Sequence, residues 1–405
     1  MQSVAITGIG LVTPLGLTAE ENLSCLRTMQ SGIGPLTAFE VAENLPHAAA
    51  EVEGFDLIPQ LRFPKSAKFM NRPLTLGMKA ALDAFHSAGL APGQVPPEQL
   101  GIFAGAGNTC LEPAYFAGPL SFAWSETNGD RDYKHLGGRP MRMIDRYFSL
   151  RTLANAGVGM LSNELQAQGP NANYVHNETA SLMAIETAWY EIAEGRCTVA
   201  VAGGYDSLVQ PAVFLDFASR GLLSAASPDC ACRPFDRRRD GIVLGEAGAF
   251  LILENAAHAA QRGAVILGEV LDVDCALTDQ AEMAARLAEG RRIDFLVARG
   301  FGTQDDDRAE SRALAPFETP VTALKSRTGY LGAATAAAEA ALGLMAAREG
   351  FLPPVARLVD PDEDCTLDLV KNEARTLDAR HPAGLFLTVS LAGQCGGIVL
   401  KAVEP

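Results

Sequence analysis

The fold of this chain is decided by residues 233–248, which read Arg-Pro-Phe-Asp-Arg-Arg-Arg-Asp-Gly-Ile-Val-Leu-Gly-Glu-Ala-Gly. Charged residues flank a glycine-containing turn that feeds an apolar run, the strand predicted over 249–254. Charges beside a buried strand must be paired, because an unpaired buried charge is very costly. The stretch therefore predicts a structural loop held by buried ion pairs, and the basic run 237–239 belongs to it. The residues assigned to this scaffold, rather than to catalysis, are Asp236, Arg239, Asp240 and Glu246.

Outward from this loop, short β-rich runs alternate with long alanine-rich helical stretches, which is the pattern of a layered α/β protein. A chain of 405 residues exceeds the size of one simple core, so we expect two halves, 1–255 and 256–405. Strands are predicted over 4–8, 100–104, 173–176, 197–202, 249–254, 266–273, 294–298, 321–324, 385–391 and 397–403. Helices are predicted over 74–88, 150–167, 178–193 and 331–348.

Composition and charge exclude several classes of function. The formal net charge of -15 argues against binding nucleic acid, which requires a basic surface. No apolar run approaches the roughly 20 residues of a membrane helix, and the N-terminus lacks the basic start of a signal peptide. We therefore expect a cytoplasmic protein that does not contact a membrane. The eight cysteines lack metal-ligand spacing, so we assign no metal, no cofactor and no disulfide.

Two further segments are candidates for contacts with other proteins. The best local basic cluster could receive an acidic protein partner, although ordinary solvated surface charge is the alternative interpretation. It consists of Arg62, Lys65, Lys68 and Arg72. Residues 108–146 are irregular and rich in aromatic side chains. A loop of that length inside a compact domain is usually functional or part of an interface.

Four segments, taken in order along the chain, resemble the β-ketoacyl-ACP synthases of the type II kind. They are the opening stretch 4–16, the loop 233–248, the lysine motif Lys325-Ser-Arg-Thr-Gly-Tyr-Leu-Gly332, and the late stretch 359–368. Each motif alone is weak, but the ordered set spans nearly the whole chain. The resemblance implies a duplicated thiolase-like fold with α-β-α-β-α layers.

The resemblance also identifies the position of the catalytic nucleophile. An active synthase carries a cysteine thiolate at a helix N-terminus, where the helix dipole lowers its pKa and backbone N–H groups form an oxyanion hole. Here the matching turn reads Asn-Glu-Thr-Ala-Ser over 177–181, so Glu178 occupies the nucleophile position. A carboxylate is a poor acyl acceptor, because its product is a labile anhydride. His176, two residues earlier, is interpreted as a strand residue packed beside the site.

The remaining catalytic positions of the family have diverged as well. Arg299 and Tyr330 stand where the resemblance places two histidines, and arginine cannot act as a general base because its pKa is too high. Lys325 is retained, whereas Leu391 replaces the family's gating phenylalanine. These changes together predict a site that does not catalyse condensation. We hypothesise that Glu178 and Arg299 form a charge-assisted ion pair that fills the old pocket.

Two neighbouring positions concern the channel for the carrier's phosphopantetheine arm. Phe301 replaces a threonine that binds the arm in the family, while Thr303 remains. A bulky apolar group at that position would plug the entrance, and ordinary core packing is the alternative. Asp307 and Glu310 follow at the family's spacing.

This pattern is similar to the chain length factors of type II polyketide and polyene pathways. Such a subunit pairs with an active ketosynthase as a heterodimer and shapes its acyl tunnel, and the acyl carrier protein acts mainly through that partner. The expected interface lies within 108–176, on the strand 173–176 and the aromatic segment 108–146. Two alternatives remain open: a malonyl-ACP decarboxylase, and an independent homodimeric acyltransferase that uses Glu178.

Overall fold

The computed structural model describes residues 2–107, 117–119, 121 and 140–404. In this part of the chain, ten strands form one continuous sheet, in the spatial order β10-β9-β13-β14-β8-β1-β7-β6-β4-β5. Two-stranded ribbons, β2 with β3 and β11 with β12, lie outside it. The strands are β1 Val4–Val12, β2 Gly34–Pro35, β3 Ala48–Ala49, β4 Leu100–Ala106, β5 Asn171–Val175, β6 Val199–Ser207, β7 Glu246–Asn255, β8 Gly268–Ala276, β9 Phe295–Val297, β10 Val321–Thr322, β11 Phe351–Leu352, β12 Arg375–Thr376, β13 Ala383–Val389 and β14 Cys395–Ala402.

The large sheet consists of two five-stranded halves with the same topology. The first half runs β5-β4-β6-β7-β1 and the second runs β10-β9-β13-β14-β8. When the strands of each half are numbered in chain order, both halves have the spatial order third, second, fourth, fifth, first. Directions also match, because the first strand of each half is antiparallel to the fifth and the fifth is antiparallel to the fourth. The remaining pairs are parallel in both halves. This repetition confirms the duplicated α/β fold that the sequence predicted.

The described helices pack against the sheet, and two of them, α5 and α11, lie in the interior of the protein. They are α1 Ala19–Arg27, α2 Arg72–Ser87, α3 Phe148–Thr152, α4 Ala156–Leu165, α5 Ala180–Ala193, α6 Pro211–Ser219, α7 Ala256–Gln261, α8 Gln280–Ala288, α9 Gln304–Leu314, α10 Lys325–Thr328 and α11 Thr335–Arg348. Helix α11 is buried at every position but the last. Helices α5 and α11 share one apolar core with residues from both sheet halves, as predicted for a helix that lies between two layers.

Two predicted helices differ from the observed ones in ways that matter for the site. The helix predicted over 150–167 is two helices, α3 and α4, because Leu153 adopts an extended conformation between them. The helix predicted to begin at Glu178 begins at Ala180, whose backbone N–H bonds the Asn177 carbonyl at 3.1 Å. Glu178 therefore lies in the turn between β5 and α5. Most of the aromatic segment 108–146 falls outside the described residues.

The loop 233–248 is held by buried ion pairs, as its sequence predicted, but fewer of its charges are buried than expected. Arg239 is buried and binds Asp362 at 2.7 Å and Asp307 at 3.4 Å. The predicted burial of the whole run 237–239 is wrong, since Arg237 and Arg238 have 51% and 56% of their side chains exposed. These side chains point outward because the turn at Asp236 places only Arg239 over the core.

The four scaffold residues also divide into buried and exposed groups. Asp236 is buried and accepts hydrogen bonds from the backbone N–H groups of Val359 and Asp360. Glu246 is buried at the start of β7. Asp240 is exposed and binds the Ser224 hydroxyl at 2.7 Å, so it fixes a surface loop. In the described part of the chain, no helix is long and apolar enough to cross a membrane.

Candidate functional site

The carboxylate of Glu178 is completely buried and is bound by one guanidinium group. The turn after the edge strand β5 places Glu178 just before α5, and none of its side chain is accessible to solvent. Arg299 donates from Nε to Oε1 at 3.2 Å and from Nη2 to Oε2 at 3.1 Å. This is the two-point geometry of an arginine fork on a carboxylate. The ion pair hypothesised from the sequence is therefore present.

Arg299 follows β9 and joins the two halves of the molecule. Its backbone N–H bonds the Glu310 carboxylate at 2.7 Å, and its Nη1 bonds Asp306 at 2.9 Å. The Phe301 ring lies 3.9 Å from the guanidinium carbon, close enough for a cation–π contact. Burial alone would lower the pKa of Arg299, but the carboxylates of Glu178 and Asp306 raise it above its usual range. The side chain is therefore a permanent cation that cannot accept a proton.

Lys325 holds the backbone of Arg299 in place. This ammonium group is fully buried, and it donates to the Arg299 carbonyl at 2.9 Å and to the Glu339 carboxylate at 2.9 Å. Burial raises the pKa of Glu339 to about 7, although the Lys325 charge opposes this rise. The retained lysine thus has a positioning role toward the Glu178–Arg299 pair.

Aromatic rings fill the position that the resemblance assigns to the second histidine. Tyr330 is buried and packs edge-on against Phe301, with the ring centroids 5.7 Å apart, and it lies 5.9 Å from the Phe217 ring. Burial, and next the Glu178 charge, raises the pKa of Tyr330 well above its usual value. The hydroxyl keeps its proton near neutral pH and cannot act as a base.

An open cavity of about 360 Å³ lies beside this group and stops short of Glu178. The described residues of its wall include Asn177, Asp206, Phe217, Arg220, Tyr330 and Leu391, but neither Glu178 nor Arg299. Leu391 lies on this wall, and its predicted gating role stays a prediction. Phe301 is buried behind Tyr330 and does not belong to the described wall. The Glu178 carboxylate is therefore not accessible from this cavity.

Thr303, predicted to line the channel, is a helix cap. Its side chain accepts the backbone N–H of Asp306 at the start of α9, and its carbonyl accepts a hydrogen bond from Arg239. The reason is local, because threonine three residues before an acidic side chain favours the N-cap position. These contacts give Thr303 a structural role at the start of α9, and its place in the channel stays a prediction.

His176 binds the turn that carries Glu178. The Thr179 hydroxyl donates to Gln394 Oε1 at 2.7 Å and contacts His176 Nδ1 at 3.0 Å. A hydroxyl has one proton to donate, so His176 Nδ1 is the donor in the second contact. The imidazole has a partner that fixes the turn, in agreement with a supporting position beside the site.

The four residues of the predicted basic cluster differ in their contacts. Arg62, Lys65 and Lys68 are exposed, and the Lys68 ammonium lies over the rings of Phe69 and Tyr147. Arg72, however, is bound to the buried carboxylate of Glu246 through Nε at 3.0 Å and Nη2 at 2.6 Å. The inclusion of Arg72 among the docking candidates is corrected, since this contact consumes its charge.

Sequence reasoning missed two carboxylates that complete the site. Asp306 is the second partner of Arg299, and the spacing of Thr303 and Asp306 at the start of α9 was the signal that could have revealed it. Asp206 is buried beside the cavity and accepts the N–H groups of Ser207 and Ala333, each at 2.9 Å. Burial raises the pKa of Asp206 to about 6. No local motif marks that residue.

Known proteins with the same architecture identify the family. The model of the β-ketoacyl synthase N-terminal domain matches residues 1–259, and that of the C-terminal domain matches residues 274–358. The 3-oxoacyl-[acyl-carrier-protein] synthase 2 of Coxiella burnetii is 30% identical over 99% of this chain and 98% of its own. A putative polyketide β-ketoacyl synthase 1 of Streptomyces halstedii is 30% identical over 93% of each chain.

Solved structures agree with this assignment. The ishigamide ketosynthase/chain length factor superposes with a TM-score of 0.86 at 26% identity, and the match covers 100% of both chains. A β-ketoacyl synthase from Burkholderia phymatum gives a TM-score of 0.87 at 26% identity, again over both whole chains. The chain therefore belongs to the β-ketoacyl synthase family and has its thiolase-like fold.

Proposed function

We propose that this chain is a non-condensing β-ketoacyl synthase subunit that acts as a chain length factor. It pairs with an active ketosynthase and shapes the acyl tunnel in type II polyketide, polyene or fatty-acid-type biosynthesis. The acyl carrier protein acts mainly through the partner, which supplies the reactive thiol. The exposed cations Arg62, Lys65 and Lys68 are candidates for a weaker, auxiliary contact with that acidic carrier.

The observation that carries this proposal is the buried fork between Glu178 and Arg299. A condensing site needs a nucleophile that substrate can reach, and Glu178 has no exposed surface. Both of its oxygens are engaged by Arg299. To expose Glu178, the protein would have to break a buried ion pair, which typically costs several kcal/mol.

The edge of the sheet supports a partner at the expected interface. In the described sheet β5 pairs on one side, with β4, and ends the order of strands. Its Val175 is 46% exposed, and the Asn173 side-chain oxygen is buried without a hydrogen-bond partner among the described residues. An open strand edge with an exposed apolar side chain is a template for pairing with another chain. This strand ends at Val175, directly before His176 and Asn177, so a partner there would lie next to the site.

Relatives with paired subunits favour the same interpretation. One structural relative is named a ketosynthase/chain length factor. A curated relative, 29% identical over 92% of this chain, is named the tetracenomycin polyketide synthase ketoacyl synthase alpha subunit of Streptomyces glaucescens. Other relatives are named as synthases, and the proposal that this chain does not condense rests on the contacts between its own Glu178 and Arg299.

A reconstitution experiment tests the proposal. The chain would be expressed alone and together with a ketosynthase encoded beside it, and both preparations would receive malonyl-carrier and an acyl primer. We expect the two chains to co-purify as a heterodimer, with ketoacyl product formed by the pair. A stable homodimer that releases carbon dioxide from malonyl-carrier would instead establish the decarboxylase alternative. Acyl transfer by the homodimer that is lost in Glu178→Gln would establish the acyltransferase.

A further inference from the structure

Three arginine side chains are buried in the described part of the chain, and one of them has no carboxylate partner. Arg239 binds Asp307 and Asp362, and Arg299 binds Glu178 and Asp306. Arg327 is equally buried, with 2% of its surface exposed, yet no described carboxylate oxygen lies within 4.0 Å of it. A buried charge normally requires a counter-charge. The exception therefore calls for an anion that the protein itself does not supply.

The hydrogen bonds of Arg327 do not replace that anion. Its Nη1 donates to the Gln30 carbonyl at 3.0 Å and its Nη2 donates to the Pro354 carbonyl at 3.2 Å. Its Nε is buried and has no hydrogen-bond partner among the described residues. Two neutral carbonyl groups leave the positive charge uncompensated and one donor unsatisfied, and each unsatisfied buried donor costs about 1–3 kcal/mol.

A second arginine, Arg357, makes the imbalance larger. It lies close to Arg327, since both contact Ser31, whose hydroxyl donates to the Arg327 carbonyl at 3.4 Å. Arg357 donates to the Ser326 carbonyl at 2.5 Å, to the Ser31 hydroxyl at 2.8 Å and, through Nε, to the backbone carbonyl of Asp229 at 3.1 Å. Burial, and next the charge of Arg357, lowers the pKa of Arg327 to about 10, so both groups remain charged near neutral pH. Arg357 also has a backbone φ of 61°, a left-handed conformation that is unfavourable for arginine. The exposed carboxylate of Asp229 acts on Arg357 from a distance, beyond ion-pair range in the described structure.

We propose that Arg327 and Arg357 form a binding site for a phosphate-type dianion beside the exposed Ser31. Two guanidinium groups match the charge of one dianion, and their N–H groups match the several acceptor oxygens of a tetrahedral oxyanion. The anion would be either inorganic phosphate or the terminal phosphate of a monoester. The site adjoins Lys325, so an anion there would also brace the residues that hold Arg299.

The test is calorimetric titration with inorganic phosphate at constant ionic strength, near neutral pH and in a buffer without other oxyanions. The intact chain should bind one phosphate, and Arg327→Met should weaken binding by roughly tenfold or more, which is about 1.4 kcal/mol per factor of ten. Arg380→Met, which removes an equal charge from a side chain that is 83% exposed, should leave the affinity unchanged. Glycerol phosphate that binds tighter than phosphate would identify the ester as the ligand, and weaker binding would identify the free ion.

Thermal unfolding keeps the inference testable even if binding heats are small. Without phosphate, Arg327→Met and Arg357→Asn should be as stable as the parent or more so, because each removes an uncompensated charge. With phosphate, the melting temperature of the parent should rise and those of both variants should not, since a ligand stabilises only the state that binds it. Equal shifts in parent and variants, or no shift in the parent, would overturn the inference.

Discussion

The substitution Arg299→Met should destabilise the protein far more than Glu178→Gln does, although both remove the same ion pair. Arg299→Met leaves the Glu178 carboxylate fully buried with its two contacts gone. Removal of one partner of a buried pair typically costs about 3–5 kcal/mol. Glu178→Gln, by contrast, leaves Arg299 with Asp306 at 2.9 Å and with the Phe301 ring. We expect that change to cost about 1–3 kcal/mol, the range for a lost buried hydrogen-bond partner.

The double variant Glu178→Met with Arg299→Met provides the sharper comparison. It removes both charges, so no unpaired carboxylate remains at this position, and it should cost less than Arg299→Met alone. The three variants and the parent complete a double-mutant cycle, which reports the coupling between the two side chains. The measurement is the urea midpoint of unfolding multiplied by the slope of the transition.

A surface fork of the same geometry serves as the matched control. Arg196 binds Glu191 through Nε at 2.7 Å and Nη2 at 2.9 Å, but half of the Arg196 side chain is exposed. Arg196→Met should therefore change stability little, because water screens the pair. The reasoning is refuted if Arg299→Met costs no more than Glu178→Gln, or if both changes are as small as that of the control.

Three further outcomes are expected. Glu178→Cys alone should yield no ketoacyl product by mass spectrometry, because Arg299 and Tyr330 still occupy the histidine positions; product from this variant without a partner would contradict the account. Val175→Arg should abolish co-purification with the ketosynthase. The control Val265→Arg, which changes a valine outside β5 whose side chain is 69% exposed, should leave co-purification intact. Equal effects of the two changes would show that β5 is not part of the interface. Stability should fall as pH rises from about 4 to about 6, because burial raises the pKa of Asp206 from 3.8 to about 6 and the folded state binds its proton more tightly. In urea titrations, Asp206→Asn should remove roughly 2–4 kcal/mol of this pH-dependent loss of unfolding free energy. An unchanged pH profile of stability would count against the raised pKa of Asp206.

The Glu178–Arg299 pair could be predicted from the sequence because two ordered motifs place both residues at known positions of one fold. Once the fold was inferred, opposite charges at neighbouring buried positions left few other arrangements. The contribution of Asp306 could not be inferred in the same way, since it depends on how the first turn of α9 folds back toward Arg299. The cap made by Thr303 sets that geometry.

Other differences arose where tertiary contacts override local patterns. Arg72 belongs to a basic cluster in the sequence, but the buried carboxylate of Glu246, 174 residues away, binds it. Asp240 and Arg238 belong to a run that favours burial, yet the turn of the loop points both outward. Long-range pairing of this kind is invisible to spacing along the chain. The same limitation hid the uncompensated charge of Arg327, which is evident only when its neighbours are known.

The measurement that tests the central claim most directly is the release of carbon dioxide and ketoacyl product from malonyl-carrier by the purified chain alone. The account predicts neither product, because Glu178 is fully buried and bound to Arg299. It predicts that product forms once the active ketosynthase is added. Condensation by the chain alone, lost when Glu178 is replaced by glutamine, would contradict the account.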